Sequence, residues 1–357
     1  MTENMNQYRE KRVLVTGACG TIGRELVWQL LTDYRVGELI CLDNNESELF
    51  FLEQRFSKVG NSRYFLADIR DREKLSIMMR EVDTVFHAAA YKHVILCERS
   101  PYEAVQTNIL GVRNVIQAAS ENKVKRVIFT SSDKAVNPTN VMGASKLMGE
   151  RLITASAGNT PGCVMASTRF GNVMGSRGSV LPIFREQIRL GGPVTVTHPD
   201  MTRFVMSIAH AVKLVVDSAN MARGGEVFIT KMPALRILDL AEIMIRELAP
   251  VFGHDPAAIR IELIGTKPGE KMFEELINSE ESRRARELGD YFVILPALSA
   301  VPDEPYPGEL SQSVEEPYHS GNCPLMTKDD ITEFLSSNNL LSALADSEPH
   351  PAQRHWG

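Results

Sequence analysis

Asp133 and Lys134 stand side by side at the end of an apolar run, inside the segment TSSDKAVNPTNVMGASK that covers residues 130–146. Adjacent side chains of opposite charge at the carboxyl edge of a strand suit a pair of proton transfers. Ser131 and Ser132 end the run, and Lys146 follows on the next helical stretch, one turn after Met142. From these residues alone, a solvated Asp–Lys pair on a loop is an equal reading. A second set lies nearer the N-terminus. Gly17, Gly20 and Gly23 form GxxGxxG, with Cys19, Thr21 and Ile22 among them, and Asp43 follows twenty residues after Gly23. Such glycines permit a tight turn, close approach of the backbone to a pyrophosphate, and close packing of helix on strand. The N-terminus of the following helix offers N–H groups and partial positive charge to that pyrophosphate.

The elements around these residues make the second set specific. Arg12-Val13-Leu14-Val15-Thr16 reads as a buried strand, the glycines open a helix with Leu26, Val27, Leu30 and Leu31 on one face, and Glu38–Leu42 is a second buried strand ending at Asp43. This is a dinucleotide-binding βαβ unit. Asp43 suits the adenosine ribose hydroxyls and repels a 2′-phosphate, and Asn44, Asn45 and Glu46 follow it with no adjacent cation. The expected cofactor is therefore NAD rather than NADP. Asp68, followed by Ile69, is a candidate for the adenine edge, and Ala88, Ala89 and Ala90 are small enough to lie beneath the adenine-ribose moiety.

Strands continue to alternate with helices: Arg63–Leu66, Thr84–Phe86, a helix with Asn108 and Asn114, Arg126–Thr130, a helix with Lys146, and Cys163–Arg169. The expected fold is α/β, a Rossmann-type doubly wound parallel sheet with a smaller C-terminal lobe. Expected boundaries are 10–172 for the cofactor domain, with part of 202–232 returning to it, 173–340 for the substrate lobe, and a flexible tail over 346–357.

The chain has 357 residues and a net charge of −6, and hydrophobic residues make up 43%. A domain-wide basic field is absent, which argues against nucleic acid as a partner. The five cysteines are scattered with no CxxC, so neither a disulfide framework nor a zinc site is expected. His198 and Asp200 form no metal pattern, and no metal is expected. With no apolar run of membrane-spanning length and no secretory leader, the expectation is a cytoplasmic protein.

HAAAYKHVILCERSPYEAVQTNILGVRNV, SSDKAVNPTNVMGASK and TRFGNVMGSRGSVLPIF, in this order, resemble the extended short-chain dehydrogenase/reductases. Within them the chain resembles the CapD-like polysaccharide-biosynthesis group of nucleotide-sugar 4,6-dehydratases acting on UDP-N-acetylglucosamine. The resemblance covers roughly residues 10–280. It implies oxidation of the sugar at C4, loss of water across C5 and C6, and return of the hydride to C6. Other 4,6-dehydratases use an Asp–Glu pair where this chain has Asp133–Lys134. By resemblance, Asp133 is the acid at the C6 oxygen, Lys134 the C5 base, Ser132 a hydrogen-bond partner of the 4-oxygen, and Lys146 the holder of the nicotinamide ribose. A lysine base acts in its neutral form, which burial or neighbouring Lys146 favours.

Met142 departs from the wider superfamily, because it occupies the position of the catalytic tyrosine and a thioether is no general base. The CapD-like branch carries methionine there in active members. The 4-hydroxyl proton then leaves through Ser132, Asp133 or Lys146. Asn108 matches a cofactor-side position. Asn172 and Arg203 match diphosphate contacts, Lys267 is a further one, Ser179 and Val180 line the base, and Lys92 lies near the sugar. The resemblance favours UDP and retention at C5, and a homo-oligomer. Two alternatives compete: a 4-epimerase or ketoreductase of the same superfamily, which needs no C5 base, and a non-catalytic NAD-sensing regulator.

Overall fold

The structure is a computed structural model and describes residues 8–176, 178–267, 269–298, 304–311 and 313–345. The expected tail over 346–357 lies outside the described residues. Two compact units divide the chain. The first comprises the residues through Phe170 together with Ala209–Lys231 and Leu276–Pro317, and the second Gly171–Ile208, Met232–Glu275 and Tyr318 onward.

The first unit is built on one sheet. Its strands, numbered here along the chain, are β1 (Arg12–Thr16), β2 (Glu38–Asp43), β3 (Ser62–Leu66), β4 (Thr84–His87), β5 (Arg126–Ser132), β6 (Val164–Phe170), β7 (Val227–Thr230), β8 (Ala285–Leu288), β9 (Tyr291–Ile294) and β10 (Glu309–Ser311). Their spatial order is β10-β8-β9-β7-β6-β5-β4-β1-β2-β3. From β3 to β7 every pairing is parallel. This is a doubly wound Rossmann-type sheet whose strand order reverses between β1 and β4, the place where such sheets bind ligands. Register brings the chemistry to one edge. Thr16 lies opposite Leu42 on one side and His87 on the other, and His87 lies opposite Phe129. The residues just beyond them, Gly17, Asp43, Ala88 and the Ser131–Lys134 stretch, therefore emerge together at the carboxyl end.

The apolar runs explain the layering. β1, β4 and β5 are buried along nearly their whole length, as strands covered on both faces must be. Helix α1 (Thr21–Thr32) buries Leu26, Val27, Leu30 and Leu31. On one face Leu14, Val85, Val127, Phe129 and Met165 pack with Val112, Val115 and Ala119. Each of these Leu, Val, Phe and Met side chains contributes ~1.5–3 kcal/mol of transfer free energy. Residues 276–317 differ from expectation. Sequence reading places them in the second lobe, whereas β8, β9 and β10 extend the first unit's sheet antiparallel beyond β7. The partner of such a strand lies far away in sequence, and local pattern carries no trace of it.

The second unit holds a three-stranded sheet of Asn172–Val173, Thr202–Met206 and Ala234–Arg236, and a pair formed by Val194–Val196 and Ile261–Leu263. Leu181, Phe184, Ile188, Leu235, Leu240, Met244, Ile331 and Leu335 form its core. Among the described residues, no helix is long and apolar enough to cross a membrane.

Candidate active site

The turn after β1 has the geometry its glycines predict. Gly17 adopts φ +68°, and a Cβ there would come 2.6 Å from the Ala89 nitrogen, so only glycine fits. The loop is pinned to β2 by Asp43, whose Oδ2 accepts the Cys19 N–H at 2.8 Å while Oδ1 accepts the Asn45 N–H at 2.9 Å. Thr21 and Ile22 open α1, whose N-cap position is Gly20 with no side-chain cap. Its first N–H groups are thus available to an anion. The cradle over Gly17 and the carboxylate at the end of β2 fit a dinucleotide. Ala88 donates its N–H to the Thr16 carbonyl at 3.1 Å, and Ala88, Ala89 and Ala90 are half-buried.

Asp68 is clasped by Arg70, whose Nη2 lies 2.7 Å from Oδ2. Hydrogen bonding to that guanidinium holds the Asp68 carboxyl below its ordinary range. Ile69 is buried, and its carbonyl accepts from Asn114 Nδ2 at 3.1 Å. Asn108 lies in a π-helical turn, Val105–Gly111, a local widening frequent at functional sites. Its Nδ2 donates to the Tyr91 carbonyl and to Ser145 Oγ, both at 2.9 Å, and its Oδ1 accepts the Tyr91 N–H at 2.8 Å. Asn108 therefore fastens the stretch after β4, where Lys92 is exposed, to the helix that carries Lys146.

At the end of β5 the chain enters a 3₁₀ turn, Asp133–Ala135. Asp133 is 1% exposed. Its Oδ1 accepts from Ser132 Oγ at 2.7 Å, from the Lys134 N–H at 2.9 Å and from Lys134 Nζ at 3.1 Å. Its Oδ2 is equally buried and has no hydrogen-bond partner among the described residues. A buried acceptor without a partner is costly, which makes this atom, at the sheet's carboxyl edge, a candidate contact for a ligand group.

The helix Val141–Ala157 begins beside this turn. Asn140 accepts the Gly143 N–H at 2.8 Å, and Glu98 Oε1 accepts the Val141 N–H at 2.6 Å. A Cβ on Gly143 would strike the Lys134 carbonyl, so glycine sets how closely helix and turn approach. Met142 is 3% exposed and packs with Cys97, Ala104, Val94 and Val141.

Lys146 Nζ donates to the Thr130 carbonyl at 2.9 Å and lies 4.8 Å from the centre of the Phe129 ring. Burial pushes its pKa down to about 8, against the opposing pull of Glu150 and Cys97. His87 is fully buried, with Nδ1 2.6 Å from Thr16 Oγ1. Burial and then Lys146 lower its pKa to about 3, so the imidazole is neutral at ordinary pH.

The second unit holds the other sequence-predicted residues. Asn172 lies on the strand that pairs with Thr202–Met206, opposite Val205. Ser179 precedes the helix Val180–Arg189, and its Oγ is buried without a partner among the described residues. Arg203 is 7% exposed, donates to the Thr202 carbonyl at 2.7 Å, and lies 3.6 Å from both Glu270 and Glu274. Lys267 is exposed, its backbone tied to Glu270. Sequence reasoning missed Asn108's clamp, Gly143 and the neutral His87. Each depends on contacts made by the fold, although the HAAA stretch placed His87 next to the expected cofactor.

The sequence profile of the family described as polysaccharide biosynthesis protein matches residues 13–296. A UDP-N-acetylglucosamine 4,6-dehydratase (inverting) from Campylobacter jejuni is 39% identical over 92% of this chain and 98% of its own. The capsular polysaccharide biosynthesis protein CapD of Staphylococcus aureus is 43% identical over 76% of this chain, which spans 46% of CapD. A UDP-glucose 4-epimerase from Rickettsia typhi is 40% identical over 80% of this chain and 83% of its own. The X-ray structure of Pen from Bacillus thuringiensis superposes with TM-score 0.87 at 40% identity, covering 94% of this chain and 99% of Pen.

Proposed function

The chain belongs to the polysaccharide biosynthesis protein family, and from that premise we propose that it is an NAD-dependent nucleotide-sugar 4,6-dehydratase acting on UDP-N-acetylglucosamine. Its product is the UDP-linked 2-acetamido-2,6-dideoxy-4-hexulose, an intermediate for surface polysaccharide or glycoconjugate synthesis. Bound NAD supplies the hydride acceptor for C4 and the hydride returned to C6. The single observation that carries the reading is the Asp133–Lys134 contact with Asp133 Oδ2 left bare at the sheet's carboxyl edge.

The contact suits the elimination. Moving one proton from Lys134 Nζ to the Asp133 carboxylate produces a neutral amine and a carboxylic acid together. The amine removes the C5 proton, made acidic by the ketone at C4, and the acid protonates the departing C6 oxygen. Lysine then carries a proton again and aspartate is a carboxylate again, so the pair returns to its starting state with one water released. Ser132 orients the 4-oxygen, Lys146 the ribose side of the site, and Met142 fills space beside it. In the second unit, Arg203, Asn172, Ser179, Val180 and Lys267 are proposed as the nucleotide contacts. A diphosphate favours such cationic and hydroxyl partners.

The test is incubation of the purified protein and NAD with UDP-N-acetylglucosamine and, separately, its GDP counterpart, followed by mass spectrometry and proton NMR. Loss of one water from the UDP sugar supports the reading. Conversion without mass change supports the 4-epimerase alternative, to which the Rickettsia relative gives weight. No turnover of either sugar overturns the reading. Retention at C5 is favoured by the sequence resemblance, whereas the Campylobacter relative is named as inverting. The C5 proton coupling in the product assigns the configuration.

A further inference from the structure

Lys146 and Glu150 occupy positions i and i+4 of the helix Val141–Ala157, the spacing at which lysine and glutamate normally pair. Both are buried, at 6% and 3% exposure. They are not paired. Lys146 turns to the Thr130 carbonyl, and its ammonium forms no ion pair among the described residues. Glu150 is held instead by Arg169 at the end of β6. Nε donates to Oε1 at 3.0 Å, and Nη2 donates to Oε2 at 2.7 Å. The same guanidinium spans to Glu281, at 2.9 Å from Nη1 and 3.0 Å from Nη2, and donates to the Leu276 carbonyl at 2.6 Å. Arg169 is 0% exposed and is the largest of the fully buried side chains among the described residues.

A buried, fully satisfied guanidinium fork between two carboxylates costs several kcal/mol of desolvation per ion. Packing alone does not require it, because apolar side chains fill such space at less cost. The arrangement does accomplish one thing for the site. It takes up both oxygens of the carboxylate one turn from Lys146.

We infer that Arg169 is a positioning residue that withholds Glu150 from Lys146, leaving the Lys146 amine without a carboxylate partner at the candidate active site. This inference rests on the proposed function only in placing Lys146 in that site. The other ionisable groups facing Lys146 do not substitute for Glu150. His87 on β4 is neutral, and Cys97, on the helix Val94–Arg99, is a thiol held protonated by burial. Asp133 and Lys134, on the turn that packs against the helix, are engaged with each other. Removing the fork should let Glu150 close on Lys146 and stabilise its charged form. An opposite charge within ~4–6 Å raises the proton affinity of a lysine by about one to three pH units.

The test measures Lys146 directly, in ¹³C-lysine-labelled protein with NAD present, through the titration of its ε-methylene signal. Loss of that signal in Lys146→Met assigns it. In Arg169→Met the titration should move up by about one pH unit or more, and in Arg169→Met/Glu150→Gln it should return to the wild-type position or below. Where Arg169→Met does not give folded protein, Arg169→Lys carries the same test. A lysine keeps a cation there but cannot bridge two carboxylates in a fork, so the titration should rise in the same direction. An unchanged titration in a folded Arg169 variant overturns the inference, as does a rise that persists when Glu150 is neutral. If the titrations shift as expected but no sugar loses water, the inference stands and the dehydratase reading fails. If water is lost and the titrations do not shift, the reverse holds.

Discussion

Lys134 reaches back along its own turn to the carboxylate of the residue before it, with Nζ 3.1 Å from Asp133 Oδ1. That oxygen also receives Ser132 Oγ and the Lys134 N–H, whereas Oδ2 receives nothing from the described residues. One oxygen is thus occupied in fixing the turn, and the other is the one to which the proposed acid role falls. Lys134→Ala should bind NAD and nucleotide sugar normally and lose turnover by about 10²–10⁴-fold, the usual contribution of a general base. Wild-type product formed in deuterated water should carry deuterium at C5, and C4-deuterated substrate should deliver its label to C6. Solvent deuterium at C6, or wild-type water loss by Lys134→Ala, would refute the assignment of roles.

Met142 is expected to be replaceable. It packs with Cys97, Ala104, Val94 and Val141. Met142→Leu conserves volume, and such swaps cost less than ~1.5 kcal/mol. Turnover should stay within about tenfold of wild type by the same bound. Complete loss of turnover in a folded, NAD-binding variant would give the thioether a chemical role.

Asp43→Asn addresses the cofactor. The carboxylate pins the glycine loop through Cys19 and is the proposed acceptor for the ribose hydroxyls. A hydrogen bond to a charged group contributes ~1.5–3 kcal/mol. NAD affinity should fall by about tenfold or more, and discrimination against NADP should relax. Titration calorimetry with both cofactors measures this, and unchanged affinity for both would leave Asp43 a turn residue only.

Gly143→Ala should separate geometry from chemistry. The added methyl meets the Lys134 carbonyl, so the helix must move away from the Asp133–Lys134 turn. Displacements near 1 Å at a reacting centre cost up to about 10²-fold. We expect a drop in kcat of that order, with NAD affinity close to wild type and a cooperative thermal transition retained. Wild-type kcat would show that helix and turn adjust without cost to the site.

Much of this was legible in the sequence, for identifiable reasons. The β1–glycine–α1 unit, Asp43 and the 130–146 segment are local patterns, and a chain positions such residues through neighbours a few places away. Asp68 was visible as a carboxylate after β3, but its partner was not, because only the folded turn brings the Arg70 fork round to it. Asn108 was visible as a polar residue in a helix. Its three partners come from Tyr91 and Ser145, which the π-helical turn and the register of β4 and β5 bring to it. Arg169 stood in plain view in TRFGN and carried no signal, since its meaning lies in Glu150 and in Glu281, 112 positions away.

The return of residues 276–317 to the first unit bears on how this protein can be recombined. Among the described residues, Glu281 and the Leu276 carbonyl are two of the three partners of Arg169 and accept three of its five hydrogen bonds, and both come from that late stretch. A chimera joined near residue 172, where the glycine loop, Asp43, Asp133 and Lys146 are all already encoded, would take the Arg169 partners at 276 and 281 from the other parent. Exchanging the second unit alone between homologues therefore means replacing 171–208, 232–275 and the stretch from 318 onward in a host that keeps its own 276–317, which a single crossover does not do.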